Sequence, residues 1–171
     1  MARITGNTTD LVCDVLALLA AQAVHCDLFG GWAEELLGLR QPGPHADVDL
    51  VYRADSFAAV DAVIRRASVR EIPEKRFSHK RAIIHRGILC ELLLVQDRDR
   101  APFTLFWSDV RFRWNTPFLY PGTIMLNGQA ISVVSETNLI LYRAEHRSTQ
   151  PHRWRHPSSR LTTMLMDRAI R

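Results

Sequence analysis

Two aspartates stand two residues apart in an otherwise apolar run, Asp47-Val-Asp-Leu-Val-Tyr, and this spacing restricts the fold more than any other feature of the chain. The run alternates as a strand does, and side chains at i and i+2 of a strand share one face. Both carboxylates therefore point the same way. Like charges so close repel each other, and the strand stays folded only where a cation or a set of donors offsets them. A divalent ion, magnesium or manganese, is the simplest such cation. The chain is expected to hold a sheet with one face at Asp47 and Asp49 adapted to metal.

The surroundings of this strand read as alternating elements. Asn7 to Val24 places Leu11, Val12, Val15, Leu18 and Leu19 at helical spacing behind Thr8 or Thr9 as cap. Cys26 to Phe29 is a short apolar strand that runs into Gly30-Gly31 and a helix beginning at Trp32. Pro42, Gly43 and Pro44 interrupt the chain and deliver it as a loop into Asp47. Asp55 or Ser56 caps a second amphipathic helix carrying Phe57, Val60, Val63 and Ile64. Arg81 to His85 and Ile88 to Val95 form a hairpin about Arg86-Gly87, and a third antiparallel element is expected beside it.

Beyond residue 97 the pattern is weaker. Residues 97–123 mix Asp, Arg, Pro and aromatics, and Phe118-Leu-Tyr before Pro121-Gly122 reads as a short strand and a turn. Ile124 to Val134 reads as a hairpin about Asn127-Gly128. A helix follows from Ser135 with Leu139, Ile140, Leu141 and Tyr142, then a linker from Gln150 to Pro157 and a last helix with Leu161, Met164 and Leu165. The length of 171 residues suits one domain, with a core at about 8–96 and a hairpin and helices at about 118–171. The expected class is α/β (α+β), a mixed β-sheet flanked by helices.

Bulk properties narrow the partners. Cys13, Cys26 and Cys90 show neither Cys-x-x-Cys nor metal-ligand spacing and read as reduced core thiols. The apolar stretch from Leu11 to Val24 is broken by Asp14, so neither a signal peptide nor a membrane span is expected and the reading is cytoplasmic. The net charge of +4 is concentrated in Arg143, Arg147, Arg153, Arg155, Arg160, Arg168 and Arg171, which favours anionic partners as a weak field effect.

The chemistry gathers around the glycine pair. Gly30-Gly31 ends a strand and opens a helix, leaving backbone N–H groups where phosphate oxygens can lie. Gly31 precedes Asp47 by sixteen residues, and the two motifs together are far more specific than either alone. Leu28 to Leu50, with Gly-Gly-Trp, then Arg40 and His45, then Asp-Val-Asp, resembles the signature of the antibiotic nucleotidyltransferases, in particular the small aminoglycoside 2''-adenylyltransferase and lincosamide nucleotidyltransferase group. The resemblance covers twenty-three continuous residues.

It implies the nucleotidyltransferase fold, two aspartates holding magnesium on a triphosphate, and a third carboxylate on a later strand. Glu91 is the one charge in Ile88 to Val95, forty-two residues after Asp49; a lone carboxylate in an apolar strand needs metal or hydrogen bonds to offset its burial. Glu91 then serves as metal ligand or general base. Gly30, Gly31, Arg40 and His45 are expected at the nucleotide, as is Lys80 from its place on the strand before Glu91, although Arg40 and His45 suit a surface and a loop-fixing role equally, and Trp32 reads as core packing. The implied reaction moves a nucleoside monophosphate, most simply AMP from ATP, to a hydroxyl of a small-molecule acceptor such as an aminoglycoside or lincosamide. Two alternatives stand beside it: a toxin-like or regulatory enzyme modifying RNA or protein, and a non-catalytic nucleotide-binding relative. Glu replaces the family's usual Asp at position 91, and the C-terminal third departs from the family pattern. Both monomer and homodimer are compatible with the sequence.

Overall fold

The computed structural model describes residues 7–67, 69–97 and 100–149. The expected linker from Gln150, the last helix with Leu161, Met164 and Leu165, and Arg153, Arg155, Arg160, Arg168 and Arg171 lie outside them. Alternating helices and strands give α1 (Thr9–Ala20), β1 (Cys26–Phe29), α2 (Gly30–Leu36), β2 (Asp47–Arg53), α3 (Ala58–Arg66) and a two-residue β3 (Arg70–Glu71). A single 3-10 turn (Pro73–Lys75) leads to β4 (Lys80–His85) and β5 (Ile88–Val95). Two small hairpins follow, β6 (Phe103–Phe106) with β7 (Val110–Arg113) and β8 (Ile124–Leu126) with β9 (Gln129–Ile131), then α4 (Glu136–Ala144) and α5 (His146–Thr149).

The central sheet has the order β1-β2-β5-β4-β3. It is mixed, because β2 runs parallel to β5 while every other pairing is antiparallel. The register of the parallel pair sets Asp47 beside Leu89, Val48 beside Cys90 and Asp49 beside Glu91. The side chains that alternate with the acids on β2, Val48 and Leu50, are fully buried, as are Leu28, Leu92 and Val95. Burial of each such aliphatic side chain contributes roughly 1.5–3 kcal/mol, and this apolar ladder offsets the cost of holding carboxylates on the same strands.

The three cysteines are free thiols, as their spacing predicts. Burial pushes the Cys90 thiol up to about 12, with the charges of Asp47 and Asp49 adding to it. Phe57, not the expected Asp55 or Ser56, stands at the N-cap of α3 and makes no side-chain cap hydrogen bond; Ser56, one residue earlier, accepts the Ala58 N–H through Oγ at 3.3 Å. Thr8 stands at the N-cap of α1 without a side-chain cap hydrogen bond.

Two readings need correction. Phe118 to Tyr120 is not a strand; Leu119 makes one isolated antiparallel bridge to Val134, because Pro117 and Pro121 flank a segment too short for a ladder. The stretch before it holds the unanticipated β6–β7 hairpin, whose turn passes through Trp107 and Ser108 at positive φ. Among the described residues no helix is long and apolar enough to cross a membrane.

Candidate active site

Asp47 and Asp49 share one face of β2, and the parallel pairing brings Glu91 of β5 alongside them. One carboxylate oxygen from each lies within 4.8 Å of the others. A divalent ion 2.0–2.6 Å from its oxygen ligands holds those ligands within about 4–5 Å of one another, so the three acids fit a single ion. Asp47 and Asp49 are half-buried and Glu91 is buried.

The glycine corner closes directly on this cluster. Phe29 pairs with Asp49 across the sheet, so the next residue must turn at the carboxylate. Gly30 does so at φ +63°, where a Cβ would fall 2.3 Å from Asp49 Oδ2. Both the left-handed backbone and the lack of space demand glycine. At Gly31 a Cβ would meet Arg40 Nη1 and His45 Nδ1, each at 2.9 Å. Gly30 thus abuts Asp49, and Gly31 abuts Arg40 and His45.

His45 is held firmly. Its ring stacks on Trp32 with centroids 4.0 Å apart, and its Nε2 meets the Glu35 carboxylate at 2.8 Å. Glu35 also accepts the Gly43 N–H at 3.1 Å, so one side chain fixes the middle of the Pro-Gly-Pro loop and the histidine that follows it. Partial burial pushes the Glu35 carboxyl up, but His45, the Gly43 N–H and the Arg40 charge together outweigh it and hold it below the ordinary range. Trp32 is buried, as expected; its indole N–H donates to Asn7 Oδ1 at 3.1 Å, while Asn7 Nδ2 donates to the Asp47 carbonyl at 2.5 Å. Asn7 thus ties the helix carrying the glycines to the first residue of the acidic strand.

Lys80 lies on the same face as Glu91 and brings Nζ to 3.3 Å from Oε2. Lys75, at the end of the 3-10 turn, comes closer, with Nζ 2.6 Å from Oε1. Sequence reasoning missed Lys75, Asn7 and Glu35. For Lys75 a signal existed: of 22 lysines and arginines only positions 75 and 80 are lysine. For Asn7 and Glu35 no local pattern marks the contact. Behind the site, α4 braces α2 through Arg143, whose Nε donates to the buried Glu34 Oε1 at 2.8 Å.

No protein-family model and no curated protein matches the sequence. Solved structures do match in fold. The lincosamide antibiotic adenylyltransferase LnuA, bound to lincomycin, superposes with a TM-score of 0.62 at 14% identity over 81% of this chain and 87% of that one. ANT(2'')-Ia in complex with adenylyl-2''-tobramycin gives a TM-score of 0.60 at 17% identity, covering 85% of this chain and 80% of that one. The solution structure of ANT(2'')-Ia, an antibiotic-resistance factor, gives 0.63 at 14% identity, covering 82% and 71%. Identity this low speaks for architecture, and the architecture is the one implied by Leu28 to Leu50: the chain has the nucleotidyltransferase fold.

Proposed function

We propose that the chain transfers a nucleoside monophosphate, AMP from ATP in the first instance, to a hydroxyl of a small-molecule acceptor, releasing pyrophosphate. The observation carrying this reading is the convergence of Asp47, Asp49 and Glu91 against the Gly30 corner. Hard oxygen donors in this number suit magnesium or manganese. When bound, the ion supplies Lewis-acid neutralisation of charge on the triphosphate.

The remaining steps belong to the chain. Asp47 and Asp49 provide the first two oxygen donors, and Glu91 acts as the third or as the base that takes the acceptor's proton. The acceptor oxygen bonds to the α-phosphorus, the bond to the bridging oxygen breaks, and pyrophosphate leaves with the electron pair. Gly30 and Gly31 let phosphate oxygens approach backbone closely, Arg40 and Lys80 meet their charge, and His45 fixes the loop that aims Arg40. Hydroxylated antibiotics of the lincosamide and aminoglycoside type are the first acceptors to offer, since the structural neighbours LnuA and ANT(2'')-Ia carry lincomycin and adenylyl-2''-tobramycin.

The test is metal-dependent pyrophosphate release over a panel of nucleoside triphosphates and acceptors, compared with Asp49→Asn. Turnover in the parent and none in the variant is the expected result. No turnover in either protein would sink the catalytic reading in favour of a nucleotide-binding module, and turnover on RNA or protein alone would replace the acceptor class.

A further inference from the structure

The chain's only two lysines both reach Glu91, yet they are held differently. Lys80 is on β4, its side chain 13% exposed, with Nζ 5.8 Å from the centre of the Phe77 ring. Lys75 ends an isolated 3-10 turn, its side chain is 38% exposed, and its contact with Glu91 is the shorter, at 2.6 Å. An ammonium is a compact charge with three rotatable donors and passes readily from one anion to another, whereas a guanidinium fork locks onto a carboxylate. Arg76, the next residue, shows the second behaviour, with Nη1 on Glu71 and Nη2 on Asp61.

Resting on the nucleotidyl-transfer reading above, we propose that Lys75 is an exchangeable counter-ion of Glu91. Without nucleotide it neutralises Oε1 and competes with any cation approaching the three acids. When metal and triphosphate enter together, its Nζ moves to an oxygen of the β- or γ-phosphate and leaves Glu91 Oε1 open to metal or to the acceptor hydroxyl. A bound triphosphate carries about four negative charges and a divalent ion offsets only two, so anionic phosphate oxygens remain to receive the ammonium. Lys75 thereby links the arrival of nucleotide to the release of the third carboxylate, and acts as a positioning residue until the phosphate takes it.

The two roles predict changes of opposite sign. Manganese titrated into the full chain without nucleotide, followed by electron paramagnetic resonance, should bind Lys75→Met about fivefold more tightly than the parent, because the competing ammonium is gone. Manganese–ATP should bind Lys75→Met about tenfold more weakly, because a charge-assisted phosphate contact is lost. Lys75→Arg should leave manganese binding as weak as in the parent and recover little of the nucleotide affinity, because a guanidinium fork stays locked on Glu91. A merely structural role would weaken both kinds of binding, and an unconnected residue would change neither; either result overturns the exchange. Manganese binding that is equal in the parent and in Asp49→Asn would overturn the metal reading itself, and the exchange with it.

Discussion

Lys80 and Arg81 are consecutive on β4 and point to opposite faces of the sheet, into two clusters with different charge balances. On one face Asp47, Asp49 and Glu91 crowd within 4.8 Å, with both lysines set on Glu91. On the other, Asp61 of α3 receives Arg81 Nε at 2.7 Å and Arg76 Nη2 at 2.8 Å, and Glu71 receives Arg76 Nη1 at 2.6 Å. The second cluster is two acids against two arginine forks, with the Arg81 guanidinium also lying 4.4 Å from the centre of the Phe57 ring. Partial burial pushes the Asp61 carboxyl up, and the Arg81 hydrogen bond and charge, with help from Arg76, outweigh it and hold it low. Balanced, forked pairs anchor a helix to a strand; three crowded acids against two ammonium groups leave an excess of negative charge.

The comparison breaks if charge removal has the same consequence on both faces. Asp49→Asn should cost at least about a thousandfold in kcat/KM, the scale of losing an electrostatic element of the transition state. Its melting temperature in chelator should stay level or rise, because a like-charge neighbour has been neutralised. Arg81→Met should do the reverse, lowering stability by about 2–3 kcal/mol in denaturant titration through the loss of a buried fork, with kcat/KM of the folded fraction within about threefold of the parent.

A pH series sharpens the distinction, because His79 precedes both residues and belongs to neither cluster. It is buried, its Nδ1 accepts the Trp107 N–H at 3.1 Å, and its ring packs against Phe77, Phe106 and Trp107. Burial, with the charge of Lys80 adding and that of Glu91 opposing, lowers its pKa from 6.5 to about 4. The unfolded chain therefore takes up the proton first. Stability should fall as pH drops from 6.5 towards 4, by on the order of 3 kcal/mol, and flatten below. His79→Gln should flatten the slope across that window whatever its effect at neutral pH. The smallest effect is expected at Gly31→Ala: the added methyl presses on Arg40 and His45, costing about 0.5–1 kcal/mol of stability and raising KM for nucleotide a few-fold.

How much of this was legible in sequence depended on the range of the contact. The corner at Gly30 and the aspartates of β2 could be read because strand alternation and turn chemistry act over a few residues. Glu91 was legible as a lone charge in an apolar strand, and the parallel register that sets it beside Asp49 matched the implied fold. Lys75 was not, since its contact depends on how one 3-10 turn packs beneath β4. The β6–β7 hairpin escaped because its turn uses Trp107 and Ser108 at positive φ in place of glycine or asparagine. Its strands are held by Phe106, Phe112, Trp114 and Tyr142 in mutual ring contact, an aromatic cluster drawn from separate elements that no local periodicity announces.

The segment after β9 returns to the sheet and lies along β1. Leu28 receives from its backbone and gives back to it, the Leu28 N–H donating to the Ser132 carbonyl at 2.8 Å and the Val134 N–H to the Leu28 carbonyl at 3.0 Å. Below them Asp27 is pinned by Arg53 and Ser132, each at 2.6 Å. The opposite rim is β3, two residues long. Both margins of the central sheet are thus poor templates for an incoming strand, which shields the backbone ladder carrying Asp47, Asp49 and Glu91 from pairing at its edges.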